Sequence, residues 1–187
     1  MPLESRRGAQ AAGGSSGRIL FLALAATVTG ILESFLPRPM PFIKPGLANV
    51  VTVLAVLSGG LYDGLRVNLL RSAAVALATG SLATPSFLLS IAGATASAAA
   101  MGFARPLVPG FLSVTGLSVL GSAASMASQL ALAAAVIPGL PVAALVPVLA
   151  VWAAAAGVLT GILAAVLSRL AGGRFGGSGL VEGFEAG

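Results

Sequence analysis

Of 187 residues, 57% are hydrophobic and 8% charged, the mean hydropathy is +1.04, and ten Lys and Arg stand against five Asp and Glu. Soluble domains carry about 25% charged residues, so the chain reads as an all-α, polytopic integral membrane protein; no basic stripe with interleaved aromatics supports nucleic-acid binding. Neither Cys nor His occurs, which excludes disulfides, His/Cys metal sites and Cys or His nucleophiles, and no cofactor is expected.

Residues 1–17, MPLESRRGAQAAGGSSG, are polar and rich in Gly, Ala and Ser. They are expected to form a disordered cytoplasmic tail. Arg6–Arg7 lies about ten residues before the first apolar run, and no A-x-A site follows that run, so a retained first span is expected rather than a cleaved signal. Six apolar runs follow: Ile19–Leu36, Gly46–Ser58, Leu61–Gly80, Pro85–Ala104, Ser113–Val136 and Val142–Leu170. A span needs roughly 20 residues, so the second is short and is expected to tilt, to extend back through Phe42 or to be partly broken. Pro85 suits the first helical position, where its missing N–H is no loss. The expected fold is a compact bundle of six transmembrane helices over residues 18–170, followed by a flexible cytoplasmic tail over 171–187.

Six spans put both tails on one side. That side collects Arg6, Arg7, Arg18, Arg66, Arg105, Arg169 and Arg174; the other holds Arg38 and Lys44. Cationic loops stay in the cytoplasm, so the chain is expected in the cytoplasmic membrane with both termini inside. Asp63 and Arg66 are spaced for a surface i,i+3 pair.

At about 1.5 Å per residue, Glu33, Asn49 and Gln129 fall in the outer half of the bilayer and Arg71 near its middle. Lys44 and Gly46 stand at the outer mouth of the second run, behind the prolines of LPRPMPFIKPG. Together Glu33, Lys44, Gly46, Asn49, Arg71 and Gln129 are candidates for the rim and lining of an outward-facing site. Asn68, one turn below Arg71, serves either a ligand or a neighbouring helix. A structural Glu33–Arg71 ion pair is the alternative for those two. The excess of cations favours an anionic ligand, which a helix N-terminus near Gly46 would also favour. Thr52 reads as packing and Trp152 as lipid- or core-facing. Small residues at four-residue spacing, Ala23/Thr27 and Ala26/Gly30, permit close helix contact. They serve either internal packing or docking of a partner membrane subunit.

The segments ESFLP (33–37), IKPGLANVVTVLAV (43–56), GLRVNLLRSA (64–73), FLLSIAG (87–93) and GLSVLGSAASMASQL (116–130) resemble, in that order, the Gx transporter family, also labelled heptaprenyl diphosphate synthase component I. Pro45 stands where that family commonly has leucine, and SMASQ (125–129) replaces its HN-x-x-Q. The resemblance implies a six-helix protein similar to the substrate-binding S components of energy-coupling-factor transporters, working with a transmembrane coupling subunit and ATPases. The second label implies a noncatalytic accessory protein of isoprenoid or quinone synthesis, with an isoprenoid-linked partner. With one Asp in the chain, no aspartate-rich motif can hold Mg²⁺ against a diphosphate, and no phosphate-binding G-x-x-x-x-G-K-[ST] loop occurs. The chain is therefore expected not to be an enzyme.

Overall fold

The computed structural model describes residues 3–35, 47–82, 84–108 and 110–170. Among these the chain forms five α-helices: α1 (Leu3–Phe35), α2 (Leu47–Thr79), α3 (Pro85–Ala104), α4 (Val114–Val136) and α5 (Val142–Leu170), with a single 3₁₀ turn at Arg105–Leu107. Four stretches are long and apolar enough to cross a membrane: Asn49–Thr79, Pro85–Leu107, Val114–Val136 and Val142–Leu170. Leu20, Leu24, Val28 and Leu32 stand exposed at four-residue spacing along α1, an apolar stripe suited to lipid.

Five helices rather than six result because the expected second and third spans form one element, broken at Gly60. There φ is 78° and ψ is −159°, a backbone region open essentially only to glycine. In a straight helix Thr52 and Asn68 would lie about 24 Å apart, yet their side chains are hydrogen bonded at 2.6 Å. A side chain on Gly64 would run into Val56. Both pairs are symmetric about Gly60, so residues 47–59 and 61–79 are two antiparallel arms of a hairpin.

Contacts between the other elements fix their directions. Arg18 pairs with Asp63 at 3.0 Å, and Gly30 lies against Val75; both pairs have the same offset in sequence, so α1 and the second arm run parallel. Gly102 lies against Leu61 while Asn68 reaches the Ala94 carbonyl, so α3 runs antiparallel to that arm. Gly121 against Met101, and Gly157 and Gly161 against Val119 and Thr115, make α3–α4 and α4–α5 antiparallel as well. Glycine at these crossings lets the backbones approach where no side chain would fit. Arg18, Arg66 and Arg105 thus gather at one end of the bundle, and α5 runs toward that end, where Arg169 lies in its last turn. The loops 80–84 and 137–141, at the other end, carry no charge.

Two expectations change. Helix α1 begins at Leu3, so residues 3–17, expected as a tail, continue the helix; LESRRGAQAA is rich in good helix formers. Asp63 pairs with Arg18 rather than with Arg66, because the parallel packing of α1 brings a nearer cation to it. Of the small residues of α1, Ala23 and Ala26 are buried, Gly30 faces Val75, and Thr27 donates its hydroxyl to the Ala23 carbonyl of its own helix at 2.7 Å. Residues 171–187 lie outside the described residues.

Candidate binding site

The start of the first arm is the meeting point of the polar side chains. Buried Thr52 donates to Asn68 Oδ1 at 2.6 Å, and Asn68 Nδ2 donates to the Ala94 carbonyl at 2.8 Å. One turn above Thr52, Asn49 Oδ1 accepts from Ser97 at 3.2 Å, and its Nδ2 faces Ser122 at 3.5 Å. These bonds tie both arms of α2 to α3 and α4. A buried amide in hydrocarbon is tolerable only when its donors and acceptors are met within the protein. Asn68 therefore falls on the helix–helix side of its two expected roles, and Thr52 does more than fill space.

Carried one turn further, the hairpin register brings residues 48–49 of the first arm to within about one turn of the level of Arg71 and Ser72. Arg71 is half-buried. Glu33 of α1 is buried, 6% exposed, and its charge acts on Arg71. An ionisable group within a span costs about 2.5–3.5 kcal/mol or more, and an opposite charge nearby offsets part of that. Leu47, where the described first arm begins, lies about 6–9 Å below the level at which the second arm ends, with α1 and the second arm beside it. The N–H groups of the first turn of α2 have no carbonyl four residues back within the helix.

Gln129 stands apart. It donates to Ser125 Oγ at 2.9 Å within its own helix, and a side chain on Gly93 would meet its amide. It is two turns beyond Ser122, the α4 residue that Asn49 faces, or about 10 Å along the axis. Lys44 and Gly46 lie outside the described residues, as does Arg38. Trp152 is half-buried and packs against the cluster of Leu130 and Leu149.

Ser72 is not among the residues that the sequence pattern marks. Its side chain is 5% exposed, and its hydroxyl has no hydrogen-bond partner. A serine beside an arginine in NLLRSA carries no distinguishing pattern; only its burial marks it.

The model of the family described as heptaprenyl diphosphate synthase component I matches residues 22–167. The chain belongs to that family. The match takes in every described residue of the polar centre, from Glu33 to Gln129. No curated protein and no solved structure matches the chain.

Proposed function

We propose that the chain is the membrane-embedded binding subunit of an uptake system, taking a small anionic molecule from outside and passing it on with partner subunits. The observation that supports this most is the pairing of half-buried Arg71 with the charge of buried Glu33 near the level of the first turn of α2, within the membrane-spanning part of the bundle. Ionisable groups inside a span mark ligand or ion paths far more often than lipid-facing surface. Arginine grips a carboxylate or phosphate with two parallel hydrogen bonds in low dielectric. Any use of ATP belongs to a partner, consistent with the want of a nucleotide loop in this sequence.

In this reading α1, the two arms of α2, α3, α4 and α5 make six crossings, and the arginine-bearing end faces the cytoplasm. The test of orientation is direct because the chain has no cysteine. With single cysteines introduced at Leu82, Leu140 and Phe111, an impermeant thiol reagent on intact cells labels the first two and not the third. Labelling at Phe111 alone overturns the orientation.

The test of the site compares Arg71→Ala with Arg71→Ala/Glu33→Gln, read by native mass spectrometry of molecules retained through purification in mild detergent. If Arg71 holds the ligand, the double variant regains stability but not ligand. Recovery of both reduces Arg71 to a counter-ion of Glu33 and ends the binding-site assignment.

A second reading rests on the family's description: a noncatalytic membrane partner of a prenyl diphosphate synthase. It is favoured if a catalytic prenyltransferase, rather than an ATPase with a coupling subunit, co-purifies with the chain.

A further inference from the structure

Serine and threonine within an apolar helix ordinarily turn their hydroxyl back to a carbonyl three or four residues earlier. In this bundle Thr27, Thr29, Ser58, Thr79, Thr95, Ser128, Thr160 and Ser168 all do so. Ser72 does not. Its hydroxyl is buried and unpartnered, in surroundings where no bulk water compensates it. Leaving such a group unmet costs about 1–3 kcal/mol.

Its direction follows from Asn68. That residue, four earlier, reaches both Thr52 of the first arm and Ala94 of α3, and Ser72 is turned only about 40° from it around the helix. Ser72 therefore faces the seam between the first arm and α3, close to the level of the first turn of α2. That turn offers backbone N–H donors and the positive end of a helix dipole. Arg71, the adjacent residue, brings a full positive charge to the same level.

We propose that Ser72 and the first turn of α2 form the seat for one anionic group, a carboxylate or a phosphate, whose charge Arg71 balances. The inference rests on the binding-subunit reading and narrows it. The ligand's anionic head sits at the level of Ser72 and the first turn of α2, and Ser72 supplies the hydroxyl donor that selects an oxyanion over a halide. Glu33, higher on the wall, repels a second anionic group, so the remainder of the ligand is neutral or cationic where it passes Glu33.

The experiment uses the full chain in detergent and two probes, inorganic phosphate and acetate, each against chloride at matched ionic strength. The midpoint of thermal unfolding rises with at least one of the two; a rise with phosphate alone or acetate alone assigns the head group. Ser72→Ala raises the concentration giving half the shift by about tenfold or more, the weight of one hydrogen bond to a charged group. Ser72→Thr, which keeps the hydroxyl, stays within about threefold of wild type. Without either probe, Ser72→Ala is at least as stable as wild type, because it removes an unmet hydroxyl. Should that variant not fold, Ser72→Cys, a weak donor of similar size, is read in its place. An unchanged anion response in Ser72→Ala overturns the proposal; if Arg71→Ala then abolishes the response, the binding-subunit reading survives without Ser72. No response to either probe in wild type also overturns it, and the molecules retained in native mass spectrometry decide separately whether the chain binds a ligand at all.

Discussion

The two ends of the α2 hairpin put charge to different uses. At the Gly60 end, Arg18 Nη2 is paired with Asp63 at 3.0 Å, and Arg105 donates to the Leu57 carbonyl at 2.9 Å, closing the end of the first arm. Among the described residues, Arg18 Nε is the buried side-chain atom left unmet at this end. These groups hold the turn. At the opposite end a buried glutamate, a half-buried arginine and an unmet hydroxyl stand near the level of the first turn of α2. Polar residues in a membrane bundle cannot be sorted by type. Arg105 and Arg71 have the same side chain, but one caps the end of the first arm through a backbone carbonyl, while the other lies among helices under the charge of Glu33.

Three substitutions and one double-mutant cycle put that contrast to the test. Gly60→Ala forces a side chain into a backbone conformation that costs up to about 3 kcal/mol; denaturant unfolding in detergent registers the loss, and ligand retention in the surviving folded fraction stays unchanged. Ala26→Leu overfills the contact between α1 and α2 and costs about 2 kcal/mol. If instead it leaves stability intact and reduces capture of a membrane partner, the small-residue face of α1 docks that partner. Asn68→Leu removes the link between the arms and α3 for a loss of about 1–2 kcal/mol, since hydrogen bonds within membranes average below 1 and seldom exceed 1.7. That variant also separates the two ends: a network that only braces the bundle loses stability, whereas one that touches ligand loses retention beyond what the stability change explains. Smallest is the Arg18–Asp63 pair, partly exposed at 31% and 14%. A double-mutant cycle of Arg18→Ala and Asp63→Ala gives a coupling below about 1 kcal/mol that shrinks further with added salt.

Much of this architecture is legible in the sequence, for identifiable reasons. Pro85 and the apolar run after it mark α3 to the residue, and IPGLP separates α4 from α5, because proline and glycine act locally. The gathering of arginines at one end follows from counting loops. What was not legible depends on tertiary placement. Asp63 has Arg66 three residues away in sequence, but the parallel packing of α1 delivers Arg18 instead. Gln129 looks like a ligand residue by depth alone, yet its helix turns it onto Ser125 and Gly93. Ser72 is unremarkable until burial shows that its hydroxyl has nothing to bond. Asn49 and Arg71 stand out in the sequence for being polar where lipid is expected; their nearness in level follows only from the fold-back at Gly60.

That fold-back also bears on how the chain is made. The first arm, residues 47–59, is about 20 Å long against a hydrocarbon thickness of about 30 Å. Emerging from the ribosome, it is too short to settle across the bilayer by itself, and Asn49 weakens its apolar character further. Its placement is expected to depend on the second arm, to which it is joined in the folded chain through Thr52 and Asn68, so that insertion of the first arm would be coupled to a tertiary contact. A chain truncated soon after residue 60 and released from the ribosome is expected to leave the first arm unanchored, and one truncated after residue 80 to hold both arms in place. Released chains of these two lengths, assayed by alkaline extraction, are expected to differ in how firmly that region is held.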